Sequence, residues 1–129
     1  MYRIGVIEDD PIVRKLLEKV LASEGYESVM TTNVTDGFKV CAGEKPDLIL
    51  LDVNLPDGNG IEACRRFKTD ERLRHIPILL ITGEASSVDN RIEGLEAGAD
   101  DYVLKPFGTK EILSRIKGIL RTAVRPTSR

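Results

Sequence analysis

Five short apolar segments alternate with five segments of helical period along this chain, and no repeat or low-complexity stretch interrupts them. That rhythm restricts the fold more than any other feature of the sequence. Strands that each lead into a helix build a parallel sheet, and a parallel sheet must be covered on both faces. The strands are predicted over Tyr2 to Glu8, Glu27 to Thr31, Asp47 to Asp52, Ile76 to Thr82 and Asp101 to Lys105, with β-branched and Leu-rich centres that fit burial on both sides. The reading is one α/β domain of (βα)5 type over residues 1–121. Beyond it, residues 122–129 lose periodicity and read as a tail or the start of a linker.

The helices follow from caps and stripes. Asp10 is placed to cap the first, Pro11 fits its first position, Ile12, Val13, Leu16, Leu17, Val20 and Leu21 form one apolar stripe, and Gly25 stops it. The second and third, near Val34 to Ala42 and Gly60 to Lys68, carry narrower stripes, while the fifth, Lys110 to Arg121, has Ile112, Leu113, Ile116, Ile119 and Leu120. The fourth, roughly Ser87 to Ala97, offers Val88, Ile92, Leu95 and Ala97 and contains Gly94, so it is expected to be the cover most easily moved.

A length of 129 residues suits a single core that needs no disulfide or metal staple. With 41% hydrophobic and 31% charged residues and a net charge of −2, the composition argues against a disordered chain and against a general nucleic-acid footprint, so no direct nucleic-acid binding is expected. Cys41 and Cys64 fall within the apolar helical patterns Phe38-x-x-Cys41 and Ile61-x-x-Cys64-x-x-Phe67, and are read as buried free thiols. No apolar run has the length of a membrane span, and the N-terminus enters a strand directly; the expectation is a cytoplasmic protein with no membrane partner.

Chemistry gathers at the strand ends. Asp52 closes Asp47-Leu48-Ile49-Leu50-Leu51 and is followed by Val53-Asn54-Leu55-Pro56-Asp57-Gly58, which puts a carboxylate at the mouth of a buried strand with a turn behind it. Glu8-Asp9-Asp10 follows the first strand, Thr82 ends the fourth, and Lys105-Pro106 ends the fifth. Ligands of an open α/β sheet sit beyond the carboxyl ends of its strands, so Glu8, Asp9, Asp52, Thr82 and Lys105 are expected to converge on one cleft. Three close carboxylates resist simultaneous ionisation unless a hard divalent cation neutralises them, and a few carboxylates with remaining waters is how Mg2+ is usually held. A carboxylate beside Mg2+ can attack phosphorus, with Lys105 and the Thr82 hydroxyl each holding one phosphoryl oxygen. Alone, the acidic triplet would read as a helix cap and Thr82 would mean little.

These residues together resemble the receiver domain of two-component response regulators, over about Met1 to Arg121. The resemblance implies a flavodoxin-like, doubly wound fold whose five parallel strands run in the order 2-1-3-4-5. It implies that Asp52 is the phosphoacceptor, Asp9 a direct Mg2+ ligand, Glu8 a second acid acting largely through water, and Asn54 the residue that lends its backbone carbonyl to the metal. Thr82 is similar to the family's switch hydroxyl, Tyr102 to its switch aromatic, and Lys105 to its phosphate-binding lysine, with Lys105-Pro106 expected to be cis. Pro56 and Gly60 match the turn behind the phosphoacceptor, and Gly83 stands where alanine is commoner. The implied partner is a histidine kinase or a phosphotransfer protein. The implied catalysis extends only to the domain's own phosphorylation and dephosphorylation. Asn54 and Glu84, each two residues beyond a site residue, resemble the pair flanking hydrolytic water in short-lived chemotaxis-type receivers, which implies self-dephosphorylation within seconds to minutes.

Arg91, Glu96, Asp100, Asp101, Glu111, Arg115 and Lys117 would ordinarily form a solvated face. They also resemble the helix four, strand five, helix five surface through which receivers of winged-helix transcription factors form active homodimers. That resemblance pairs Arg91 with Glu111, Asp101 with Arg115 and Glu96 with Lys117 across a twofold axis. The longer Thr69 to His75 connection instead resembles stand-alone and cyclase-linked receivers, so the output type stays open. Other classes compete. A phosphatase of the haloacid dehalogenase type also forms an aspartyl phosphate, but needs a second acid where this chain has Asn54. A flavin module needs a hydroxyl- and glycine-rich loop after strand one, where Glu8-Asp9-Asp10 would repel phosphate. A receiver used constitutively as an interaction module would keep its partner when Asp52 is changed to asparagine.

Overall fold

The apolar run Leu48–Asp52 becomes the middle strand of a sheet, and every one of its five residues is buried. The structure, a computed structural model, describes residues 1–83 and 88–123, without the side chains of residues 88–91. The strands are β1 (Arg3–Ile7), β2 (Glu27–Thr31), β3 (Leu48–Asp52), β4 (Ile78–Thr82) and β5 (Asp101–Leu104), hydrogen-bonded in the order β2-β1-β3-β4-β5. All four ladders of this sheet are parallel. Each strand is followed by a helix: α1 (Pro11–Ser23), α2 (Val34–Glu44), α3 (Gly60–Thr69), α4 (Val88–Glu96) and α5 (Thr109–Thr122). This is the (βα)5 arrangement expected from the strand–helix rhythm, with the flavodoxin-like strand order that the family resemblance implied. None of the described helices is long and apolar enough to cross a membrane.

Two cores flank the sheet, and the period of two along each strand sends its buried apolar side chains alternately to one or the other. Leu48 and Leu50 join Ile4, Val6, Leu79, Ile81 and Val103 beneath α1 and α5. Ile49 and Leu51 join Ile7, Ile78 and Leu80 on the side of α2 and α3. Burying a side chain of this size is worth roughly 1.5–3 kcal/mol, so each face holds its helices chiefly through these residues. Cys41 and Cys64 lie unpaired in the second core. Burial pushes their thiols up to about 12 and about 11, which removes thiolate chemistry at neutral pH.

Helix α1 starts as its sequence requires: Asp10 accepts from the Ile12 and Val13 amides, Pro11 occupies the first turn, and Gly25 adopts φ +78° just past the end. Its apolar stripe is narrower than expected. Leu17, Val20 and Leu21 are buried, whereas Ile12 is 79% exposed and Leu16 40% exposed, because the Ile12–Leu16 ridge lies outside the arc that the sheet covers. Helix α4 makes a thin contact. Ile92 and Leu95 are half exposed, and the helix approaches Leu80 through Gly94, where an added Cβ would stand 2.6 Å from Leu80 Cδ1. Gly94 thus does more than weaken the helix: it permits the close approach. Glu84 and the tail 124–129 lie outside the described residues.

One feature was not expected from the sequence. Behind β3 the chain forms a two-residue antiparallel ladder, Asn54–Leu55 against Gly58–Asn59, and Asp57 at its tip reaches across to α2. The Asp57 carboxylate accepts from the Val34 amide (2.7 Å), the Thr35 amide (3.0 Å) and the Thr35 hydroxyl (2.8 Å), capping α2 from another part of the chain. Those amide hydrogen bonds, with the Thr35 hydroxyl, hold its pKa below the ordinary 3.8. Because the folded-state value is depressed, this stabilisation is present above 3.8 and disappears as pH falls through the folded value. Asp57→Asn is therefore expected to have a lower urea midpoint than the wild type at neutral pH, with the gap closing in strong acid. A gap that is independent of pH would contradict the assignment.

Candidate functional site

Register brings the expected residues together. Ile7 pairs with Leu51 and Asp52 with Ile81, so Glu8 and Asp52 leave the sheet side by side. The alternation that points Ile4 and Val6, Leu48 and Leu50, and Val103 beneath α1 and α5 carries Glu8, Asp52 and Lys105 to that same side. Thr82 continues the other set, Ile78 and Leu80. Tyr102 pairs with Leu80 and is half-buried against that core, so the hydroxyl and the aromatic ring share the α4 side.

Lys105 Nζ stands 3.0 Å from Glu8 Oε1 and 3.4 Å from Asp52 Oδ2. The first contact is an ion pair by distance, poorly aligned as a hydrogen bond. Glu8 Oε2 accepts from the Asp10 amide at 3.1 Å, and Asp52 Oδ1 accepts from the Asn54 amide at 3.2 Å. Glu8 and Asp52 are buried, Asp9 is exposed, and Lys105 is partly covered. Burial lowers the affinity of Lys105 for its proton, but Glu8 and Asp52 outweigh that effect and hold the ammonium above its usual pKa. The Lys105–Pro106 bond is cis. The Thr82 hydroxyl, 1% exposed as a residue, has no hydrogen-bond partner among the described residues.

Burial raises Glu8 from 4.5 to about 7; the Asp10 amide opposes the rise, the Asp52 charge adds to it, and Lys105 moderates it. An acid whose pKa is raised on folding binds more protons folded than unfolded between those two values. Stability of the metal-free protein is therefore expected to fall as pH rises from 4.5 through about 7. Glu8→Gln should remove that slope in denaturant titrations across the same range. A slope identical in the two proteins would assign the ionisation elsewhere.

Glu8, Asp9 and Asp52 each offer a carboxylate oxygen, all within 4.8 Å of one another. An all-oxygen set from three acids, with the mouth of the cleft open to water at Asp9, fits a hard divalent cation and is compatible with Mg2+. Behind the set, Gly60 packs onto the turn of the phosphorus-reactive candidate: its amide donates to the Val53 carbonyl at 2.7 Å, and an added Cβ would lie 2.2 Å from the Asp52 carbonyl oxygen.

The charged surface is arranged differently from a row of unpaired groups. Arg115 Nη1 lies 3.1 and 2.9 Å from the two Asp101 carboxylate oxygens of the same chain, Arg115 Nε lies 3.3 Å from Glu111, and Lys117 reaches Glu24 beyond α1 at 3.0 Å. Pairing these groups across a twofold axis would exchange intramolecular partners for intermolecular ones. A cavity of about 380 Å3 opens beside the Asp101–Arg115 pair, at the far end of the strands from Asp52. Glu96 is exposed on α4; the side chain of Arg91, like Glu84, lies outside the described residues. Sequence reasoning missed Arg14, whose guanidinium contacts the loop carrying Glu8 and Asp9. It also missed Asp57, whose partners lie 22 and 23 residues away and leave no spacing signal.

The family model for the response regulator receiver domain matches residues 4–117. The phosphate regulon transcriptional regulatory protein PhoB of Pseudomonas aeruginosa is 42% identical over 118 residues, covering 92% of this chain and 51% of that protein. The chain spans about half the length of the curated relatives it matches. The BeF3-activated N-terminal receiver domain of RstA from Klebsiella pneumoniae superposes with a TM-score of 0.83 at 36% identity, covering 93% of this chain and 99% of that one. The receiver domain of the sensor histidine kinase PA1611 from Pseudomonas aeruginosa, with a magnesium ion coordinated in its active-site cleft, gives a TM-score of 0.85 at 29% identity over 94% and 98% of the two chains. A match running almost from end to end, in both sequence and fold, makes this chain a member of the response-regulator receiver family.

Proposed function

We propose that this receiver domain accepts a phosphoryl group on Asp52 from the phosphohistidine of a histidine kinase or phosphotransfer protein, and that the modification changes the α4–β5–α5 surface seen by a partner. The observation that carries the reading is the convergence of Glu8, Asp9 and Asp52 on one point with Lys105 Nζ beside it; the Thr82 hydroxyl, at the end of the neighbouring strand, is buried with no partner among the described residues. Mg2+, when bound by Asp9 and Asp52 with Glu8 through water and the Asn54 carbonyl, supplies charge neutralisation for an incoming phosphoryl group. The magnesium-bound cleft of the PA1611 receiver supports that choice of ion.

The chain's own groups do the rest. An Asp52 carboxylate oxygen attacks phosphorus as the bond to the donor nitrogen breaks, and that nitrogen keeps the electron pair. Lys105, already within reach of Asp52, turns its ammonium to one phosphoryl oxygen. The Thr82 hydroxyl gains in the phosphate an acceptor that it lacks among the described residues. Its inward movement vacates space on the α4 side, which the Tyr102 ring can enter, and the thinly packed α4 shifts. The half-exposed Ile92, Leu95 and Leu104 make that surface sensitive to small displacements. The domain turns over no separate substrate: it catalyses its own phosphorylation and, with Asn54 and Glu84 tuning the water, its own dephosphorylation. On this reading a homodimer forms through Arg91, Glu96, Asp101, Glu111, Arg115 and Lys117, as in transcription-factor receivers.

Beryllofluoride with Mg2+ tests the reading by amide NMR. Signals of Thr82, Tyr102 and α4 are expected to shift only when both reagents are present. Shifts confined to the immediate surroundings of Asp52 would contradict the proposed transmission.

A further inference from the structure

One nitrogen holds both peptide planes of Asp9. Arg14 Nη1 reaches back from the first turn of α1 and donates to the Glu8 carbonyl at 3.2 Å and to the Asp9 carbonyl at 2.8 Å. The first carbonyl belongs to the peptide preceding Asp9 and limits its φ; the second belongs to the peptide following it and limits its ψ. With both planes pinned, the direction of the Asp9 Cα–Cβ bond is fixed. That matters because Asp9 is exposed, and packing does not orient its side chain. The peptide following Asp9 also carries the Asp10 amide, which donates to Glu8 Oε2 at 3.1 Å while Glu8 Oε1 faces Lys105. A single guanidinium therefore sets the backbone from which two of the three clustered acids are aimed.

We propose that Arg14 is a positioning residue for the divalent-cation site, acting through the backbone of Glu8 and Asp9; the proposal rests on the reading of Glu8, Asp9 and Asp52 as that site. The sign of its effect separates positioning from simple electrostatics. A guanidinium close to a cation site repels the cation, so by charge alone its removal tightens Mg2+ binding. By positioning, its removal weakens binding, because the acids lose their preset geometry.

The test titrates Mg2+ into the metal-free wild type, Arg14→Ala, Arg14→Lys and Arg14→Gln by calorimetry, with thermal unfolding of each protein in the absence of metal. Loss of an orienting partner behind a metal ligand typically weakens binding 10–100-fold, so Arg14→Ala is expected to bind Mg2+ on the order of 10-fold more weakly, with Arg14→Lys recovering part of the loss. The Mg2+ concentration giving half-maximal labelling by acetyl phosphate should rise by the same factor, while the maximal rate at saturating Mg2+ stays within about twofold. If Arg14→Ala does not fold, Arg14→Gln reads the same difference. Binding as tight as wild type or tighter, in whichever neutral variant folds, overturns the assignment alone. Absence of Mg2+ binding by the wild type overturns it together with the reading of the site.

Discussion

Gly60→Ala is expected to destabilise the protein by about 3 kcal/mol or more, lowering its melting temperature by roughly 10 °C. The new methyl group would stand 2.2 Å from the Asp52 carbonyl oxygen, 2.7 Å from Val53 Cα and 2.9 Å from Asp52 C. All three are backbone atoms, so no side-chain rotation can relieve the contact. Either α3 withdraws from the sheet, at the cost of packing Ile61, Cys64 and Phe67 on the core, or the Asp52–Val53 backbone moves and carries the site with it. Gly118→Ala provides the contrast. In α5 an added Cβ meets nothing within 4 Å, so the same substitution there should stabilise by up to about 1 kcal/mol through helix propensity. Thermal unfolding of both variants checks the pair, and a Gly60→Ala protein as stable as the wild type would show that the turn is not held as described.

Thr82→Val is expected to move stability and switching in opposite directions. The Thr82 hydroxyl is buried with no partner among the described residues, and replacing an unsatisfied buried hydroxyl by a methyl group of similar shape removes a desolvation penalty of about 1 kcal/mol. Unmodified Thr82→Val should therefore be slightly more stable than the wild type. It should still acquire a phosphoryl group, since Asp52, Asp9 and Lys105 are untouched. The conformational response should be blunted. Moving a two-state equilibrium from about 1:99 to 99:1 requires about 5.5 kcal/mol of preference for the active form. Losing one charge-assisted contact worth about 2 kcal/mol would leave the modified protein near 3:1 instead of 99:1. Lys105→Ala should blunt the response for the same reason, but without the gain in stability, because it removes the cation from between Glu8 and Asp52. Amide signals of α4 and Tyr102 in the presence of beryllofluoride and Mg2+ report the populations. A Thr82→Val protein that switches fully would remove the hydroxyl from the mechanism.

The parallel sheet was legible because the chain alternates cleanly, and its strand order came from the family resemblance. Leu48 to Leu51 is apolar without interruption, as only a strand covered on both faces would be, and the strand ends fell within two residues of their expected positions. The site was legible for a related reason. Glu8, Asp52, Thr82 and Lys105 occupy strand ends, which places them at one edge of a parallel sheet, while their roles were read from the family resemblance. What could not be read depends on tertiary geometry. Asp57 looks like an ordinary turn residue until α2 is brought to it, and Arg14 looks like a solvated helix residue until α1 is folded back over the loop. Ile12 and Leu16 were misjudged as part of a covered stripe because helical periodicity shows which residues share a side, not how far the sheet extends beneath them. Gly94 read as a weakness, and its role became visible only with Leu80 beneath it.

Intact-protein mass spectrometry after incubation with acetyl phosphate tests the central claim most directly. Wild type with Mg2+ should gain one phosphoryl group, lost on treatment with hydroxylamine as an acyl phosphate must be; wild type without Mg2+, and Asp52→Asn with it, should gain none. Equal labelling of Asp52→Asn, or none of the wild type with Mg2+ present, would contradict the assignment of Asp52 as the phosphoacceptor.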